Sequence, residues 1–164
     1  MKKKKKGFIF KQDRARIFKD ERTDTYREKQ KYKEPTRCPN CGALYIEGRW
    51  TWDETSEKVH EARCPACKRI EDKYPAGFLE LRGDLYRKQK GEILHMIRNI
   101  EKTENSEHPL ERIIEINEQK EYTAITTTGI HLARRLGKAL QNAYQGDLDI
   151  SFDAENFIRV TWQR

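Results

Sequence analysis

The sequence predicts an α+β chain in which a basic arm precedes two folded parts, and three observations predict it. Two Cys-Pro-x-Cys pairs, Cys38-Pro39-Asn40-Cys41 and Cys64-Pro65-Ala66-Cys67, flank a short stretch rich in β-formers and hold all four cysteines of the chain. Apolar spacing then alternates between period two and period 3.6 from about residue 75 to the end. Charge is also unevenly distributed. Residues 1–37 hold 15 Lys/Arg against 6 Asp/Glu, a net of +9, while residues 38–164 hold 19 against 21, a net of −2.

The first segment, 1–34, has few apolar residues beyond Phe8, Ile9, Phe10, Ile17, Phe18, Tyr26 and Tyr32. Its apolar spacing is too thin for a stable isolated helix, so a largely disordered arm is expected. The whole chain is 35% hydrophobic and 37% charged, which fits a portion lying outside any core. Blocks of like charge are either solubilising tails or polyanion contacts, and +9 within residues 1–37 favours displacement of counterions from phosphates. The arm's candidate contacts are Lys2, Lys3, Lys4, Lys5, Lys6, Arg14 and Arg16.

The second segment, 35–74, begins after Pro35. Four thiolates in two close pairs make a closed tetrahedral site for a soft divalent ion, so one structural Zn²⁺ held by Cys38, Cys41, Cys64 and Cys67 is expected. Ala43 to Ile46 and Arg49 to Trp52 read as strands, a polar turn covers Asp53 to Glu57, and Lys58 to Arg63 reads as the return strand. Knuckle, hairpin, knuckle describes a zinc ribbon. Four-thiolate iron is one alternative. Redox chemistry is the other, but such a Cys-Pro-x-Cys site needs a pair at a helix N-terminus, and here the pairs bracket a hairpin. His60 reads as a surface strand residue.

The third segment, 75–164, opens with a strand at Phe78 to Arg82. Gly83-Asp84 offers a turn and cap. Tyr86, Ile93, Leu94, Ile97 and Ile100 then mark a helix to about Glu104. Arg112 to Asn117 and Glu121 to Thr127 form a hairpin. Ile130, Ala133, Leu136, Gly137, Leu140 and Ala143 give the clearest helical period, which stops at Gly146. Leu148, Ile150 and Phe152 alternate with Asp147, Asp149, Ser151 and Asp153, and Phe157 to Gln163 closes the chain. The order β-α-β-β-α-β plus one strand is that of a ferredoxin-like split βαβ sandwich with an extra C-terminal strand.

Trp50 and Trp52 share one face of their strand. Beside Arg49 and Arg63 they form either a base-stacking platform or packing that covers the small ribbon core or docks it onto the second domain, and the small core favours packing. On the second helix Arg134, Arg135 and Lys138 lie with His131 opposite the apolar stripe, as a solvated face or as phosphate contacts. Thr126-Thr127-Thr128-Gly129 precedes that helix and could hold a phosphate, but ordinary capping by Thr128 is the simpler expectation. The acidic alternation at 147–153 argues against base recognition on that sheet face.

No P-loop, nucleotide-binding glycine fingerprint or HExxH is present, so no catalytic residue is assigned and an enzyme is not expected. No apolar run approaches the roughly 18 residues of a membrane span. The lysines at 2–6 are followed by too short an apolar run for a signal peptide. A soluble cytoplasmic protein is expected, where reduced thiols suit metal binding.

The chain resembles a small bacterial zinc-ribbon family of uncharacterised function. The resemblance is carried by Glu34-Pro35-Thr36-Arg37-Cys38-Pro39-Asn40-Cys41-Gly42, Gly48-Arg49-Trp50, Cys64-Pro65-Ala66-Cys67-Lys68-Arg69-Ile70 and Tyr74-Pro75-Ala76-Gly77. It continues through Glu107-His108-Pro109-Leu110, Thr126-Thr127, Ile130-His131-Leu132-Ala133-Arg134 and Ala143-Tyr144-Gln145-Gly146. Members are often labelled as relatives of the nonsense-mediated-decay, large-subunit ribosome export adaptor of archaea and eukaryotes, whose Cys-x-x-Cys modules help bind the large ribosomal subunit. The resemblance implies a non-catalytic protein associated with RNA or the ribosome, with an effect on ribosome stability or mRNA decay. The rival readings are a protein-interaction adaptor using Trp50, Trp52 and the final strand, and a metalloenzyme with an open metal position.

Overall fold

The computed structural model describes Tyr26, residues 31–154 and residues 157–164. The expected arm contacts Lys2 to Lys6, Arg14 and Arg16 lie outside the described residues. Nine strands and four helices follow in the described chain.

The cysteine-bearing part is a small sheet with order β3-β2-β1-β4, formed by β1 (Thr36–Arg37), β2 (Leu44–Ile46), β3 (Arg49–Thr51) and β4 (His60–Glu61). A two-residue turn at Glu47-Gly48 joins β2 to β3, and both residues take positive φ, 52° and 75°. That turn matches the right-handed twist of a tight hairpin. The Glu34 carboxylate accepts both turn amides, at 2.8 and 3.0 Å. The return strand differs from expectation. It does not extend the hairpin but pairs parallel with β1, Thr36 opposite His60, so residues just before the first cysteine pair complete the sheet. His60 is exposed there.

A second difference follows Cys64. Helix α1 (Pro65–Asp72) starts at this cysteine, which stands at the N-cap and accepts the Cys67 amide, with proline at the first helical position. Lys68 lies within the helix, so the second knuckle needs no glycine. Lys73 ends the helix in the left-handed conformation, φ 50°.

The larger sheet has order β6-β7-β5-β9-β8, from β5 (Gly77–Arg82), β6 (Ile113–Glu118), β7 (Tyr122–Thr127), β8 (Asp147–Ala154) and β9 (Phe157–Gln163). β5 is central, antiparallel to β7 and parallel to β9. The helical stretch after β5 is broken at Gln89 into α2 (Asp84–Lys88) and α3 (Lys90–Glu107), and Gly83 supplies no side-chain cap. Helix α4 (Ile130–Tyr144) precedes β8. The terminal hairpin forms, but its order departs from the expected sandwich. β9, not β8, lies beside β5, and β8 becomes the edge. Chemistry explains the order. Phe157, Ile158, Val160 and Trp162 are all buried, which suits an interior strand, while β8 exposes Asp147 and Asp149, which suits an edge.

One core sits between this sheet and the helices. Leu79 and Leu81 from β5, Ile125 from β7, and Ile158, Val160 and Trp162 from β9 meet Ile93 and Ile97 of α3 and Leu132, Leu136 and Leu140 of α4. Gly137 lets α4 lie close to the sheet, since a Cβ there would come within 2.5 Å of Val160 Cγ1. Trp162 is fully buried, and its indole N–H donates to the Gln145 carbonyl at 2.8 Å.

Candidate metal centre and the adjoining basic cleft

The first knuckle is built by local backbone bonds. Cys38 N–H donates to the Ala43 carbonyl at 2.8 Å and Gly42 N–H to the Cys38 carbonyl at 2.9 Å. The second is the first turn of α1. Pairing of β1 with β2 and β4 brings the two together, and the four sulfurs lie within 4.8 Å of one another. Cys41 Sγ and Cys64 Sγ are 3.8 Å apart, close to the roughly 3.8 Å edge of a tetrahedron with metal–sulfur bonds near 2.3 Å. Cys38, Cys64 and Cys67 are buried and Cys41 is half-buried. The donor set and spacing therefore fit a four-thiolate metal ion, and all four expected ligands converge. The expectation that neither pair starts a helix fails at Cys64-Cys67. The gathering of all four sulfurs is the observation that favours a metal over a lone redox pair.

The cluster's surroundings are arranged for negative charge. Burial pushes the Cys38 thiol up, but amides of Cys64, Cys41 and Asn40 outweigh it and bring Cys38 down to about 7. The Cys64 N–H contacts Cys38 Sγ at 3.3 Å. Burial raises Cys41 and Cys64, and the charge of the neighbouring sulfurs adds to the rise. One cation comes from far along the chain. Arg112 Nη2 donates to Cys64 Sγ at 3.3 Å and Cys67 Sγ at 3.4 Å. Burial alone would lower the Arg112 pKa, but the sulfurs of Cys67, Cys64 and Cys41 raise it. Four thiolates around a divalent ion carry net −2, and this guanidinium offsets part of that charge. Sequence reasoning missed Arg112, and no local signal marks it.

The neighbours of Arg112 tie the cysteine cluster to the larger sheet. Leu110 packs on the cysteine cluster. The Glu111 carboxylate, buried over Gly129, accepts the Leu132 amide at 2.9 Å and so caps α4. Burial raises the Glu111 pKa, partly opposed by that amide. Thr128 does not cap α4 as expected. Its hydroxyl bonds the Leu110 carbonyl and the Arg112 amide, and its own amide donates to the Arg112 carbonyl. A carboxylate thus occupies the helix N-terminus considered for phosphate.

The two tryptophans have separate tasks. Trp50 packs against the cysteine cluster and Tyr45, ring centroids 5.4 Å apart. Trp52 is 38% exposed, and its indole N–H donates to the Asn105 carbonyl at the end of α3, docking the small sheet on the larger part. Two tyrosines of the expected disordered arm are also placed. Tyr32 meets Tyr45 and Trp50 at 5.0 and 5.1 Å, and Tyr26 stacks on Tyr74 at 5.3 Å, so packing extends into residues assigned to the arm.

Between the β2–β3 turn, the end of α3 and the exposed side of α4 lies a cleft of about 840 Å³. Arg49 and Trp50 line it from one side, His131, Arg134, Arg135 and Lys138 from the other, with Glu104 and His108 to Glu111 between. Five of the sequence candidates therefore converge, while Trp52 does not line the cleft. Arg135 pairs with the buried Glu104, but Arg49, Arg134 and Lys138 enter no ion pair among the described residues.

Comparison with family models, curated proteins and solved structures yields no match, so the chain is assigned to no family. Among the described residues no helix is long and apolar enough to cross a membrane.

Proposed function

We propose that this chain is a non-catalytic, zinc-stabilised protein that associates with RNA or the ribosome, its nucleic-acid surface formed by the cleft between the cysteine-bearing sheet and α4. The supporting observation is the convergence of Arg49, Trp50, Arg134, Arg135 and Lys138, which are far apart in sequence, on one cleft. Of these, Arg49, Arg134 and Lys138 enter no ion pair among the described residues, and such cations beside an aromatic ring are the elements of sequence-tolerant nucleic-acid binding. Zinc suits a closed four-sulfur site, and the metal would hold the small sheet rather than turn over substrate. Reduced thiols fit a cytoplasmic location. The larger part reads as a variation on the ferredoxin-like sandwich, since β5, α3 and β6 enclose β7 in the split βαβ manner, with a hairpin replacing the fourth strand.

The test is RNA binding by the intact protein over a salt series. Arg134→Glu with Lys138→Glu should lower affinity and reduce the slope of log affinity against log salt by about 1.4, at roughly 0.7 per single-strand phosphate contact. An unchanged slope would remove the cleft from the reading. The adaptor alternative loses part of its expected surface. The final strand, β9, is flanked by β5 and β8, and the Trp52 indole N–H is spent on the Asn105 carbonyl.

A further inference from the structure

The cleft has a polarity that narrows the form of RNA it can hold, an inference that rests on the RNA reading above. Its exposed cations and its buried acids occupy different depths. Arg49, Arg134 and Lys138 are exposed, whereas Glu104 and Glu111 are 6% and 8% exposed. Phosphates can therefore be held along the rim, while carboxylates repel them from the interior. Carboxylate oxygens instead accept from base amino and imino groups, which are free for this use in unpaired bases. Glu111 spends one oxygen on Leu132, and Glu104 is paired with Arg135, so hydrogen-bonding groups of both signs border the interior.

Shape points the same way. Arg134 and Lys138 are one turn apart on α4, about 6 Å along the helix axis, comparable to the step between successive phosphates of a strand. Trp50 is half-buried and its accessible part borders the cleft. A ring in such a position can be stacked by a splayed-out base but not by a base inside a duplex. Double-stranded RNA presents a convex cylinder read across about 16 base pairs, whereas about 840 Å³ is the scale of a site that encloses a small group.

We propose that the cleft receives an unpaired stretch of RNA, its phosphates along Arg49, Arg134 and Lys138 and one base against Trp50. The stretch 1–37, with its net charge of +9, attracts single and double strands alike, so the cleft's part must be read as a difference. The experiment compares the intact protein with the Arg134→Glu, Lys138→Glu variant by fluorescence anisotropy. The probes are a non-pairing oligoribonucleotide and an RNA duplex with the same number of phosphates. Both substituted residues are exposed, and thermal unfolding verifies that the variant folds. Lys120→Glu, on the β6–β7 turn, is the charge control.

The expected result is a loss of about tenfold or more on the single strand and under about twofold on the duplex, with Lys120→Glu matching the parent on both. In a Trp52→Phe background, single-stranded RNA should also quench indole fluorescence. Trp162 is fully buried, which leaves Trp50 as the responding ring. Equal losses on both probes would overturn the single-strand assignment and leave RNA binding standing. Single-strand binding insensitive to the charge reversal and without quenching would place the site elsewhere and also overturn it. Absence of binding to either probe at low salt would remove the RNA reading itself.

Discussion

Replacing Arg112 by methionine removes a side-chain cation that reaches two of the four sulfurs, at 3.3 and 3.4 Å, while keeping most of the side chain's apolar length. Outer partners of metal ligands are typically worth about 10- to 100-fold in metal affinity, or about 1.4 to 2.7 kcal/mol. A single guanidinium nitrogen shared between Cys64 and Cys67 belongs in that range, because hydrogen bonds to charged groups contribute about 1.5 to 3 kcal/mol. At fixed free zinc the same loss appears as folded-state destabilisation. For a chain of this size each kcal/mol moves the melting temperature by about 2 to 4 °C, so a fall of about 3 to 11 °C is expected. Arg112→Lys should recover only part, since a compact, strongly hydrated ammonium costs more to bury beside the sulfurs than a guanidinium. Competition against a chromophoric chelator gives the affinity, and thermal unfolding with and without added zinc gives the stability. A well-folded Arg112→Met protein with parental zinc affinity would refute the argument that this guanidinium offsets thiolate charge.

Glu111→Ala should cost about 1 to 2 kcal/mol in urea unfolding, the size of a lost N-cap, because the Leu132 amide loses its acceptor. The Glu111 pKa is raised above its ordinary 4.5, so the folded state binds the proton more tightly than the unfolded chain. Its contribution to stability is therefore greatest below that ordinary value and declines as pH rises from there through the raised value. Stability curves of the parent and Glu111→Gln across that window should differ by this component, and parallel curves would contradict it. Gly137→Leu should destabilise by about 1 to 3 kcal/mol or more, because even a Cβ would come within 2.5 Å of Val160 Cγ1. A neutral result in denaturant titration would show that α4 does not lie this close to β9. Trp52→Phe should cost about 1 kcal/mol through loss of the bond to the Asn105 carbonyl.

What the sequence disclosed depended on range. The cysteine pairs, the α4 stripe and the 147–163 strand pair are written in neighbours two to four residues apart, and each emerges where expected. The stripe also disclosed Arg134, Arg135 and Lys138 as one surface, though not that Arg49 and Trp50 would face them across a cleft. Helix α1 escaped notice because eight residues beginning with Cys-Pro look like a knuckle, and its N-cap is itself a thiol. The parallel β1–β4 pairing joins two-residue strands whose composition carries almost no signal. The order of β8 and β9 was legible in principle, since a strand carrying Phe157, Ile158, Val160 and Trp162 belongs inside a sheet and one carrying Asp147, Asp149 and Asp153 at its edge. Arg112 and Glu111 were not. Arg112 meets sulfurs 45 and 48 residues away, and Glu111 caps a helix that begins well after it, so only tertiary structure pairs them with their targets.

Elemental analysis and native mass spectrometry of the purified full chain, before and after titrating the thiols, test most directly whether Cys38, Cys41, Cys64 and Cys67 act together on one ion. The expected result is one zinc per chain, released in full as four thiols react and accompanied by loss of ordered signal from Trp50 and its neighbours. A chain that is fully ordered with no bound metal and four freely reactive thiols would contradict it.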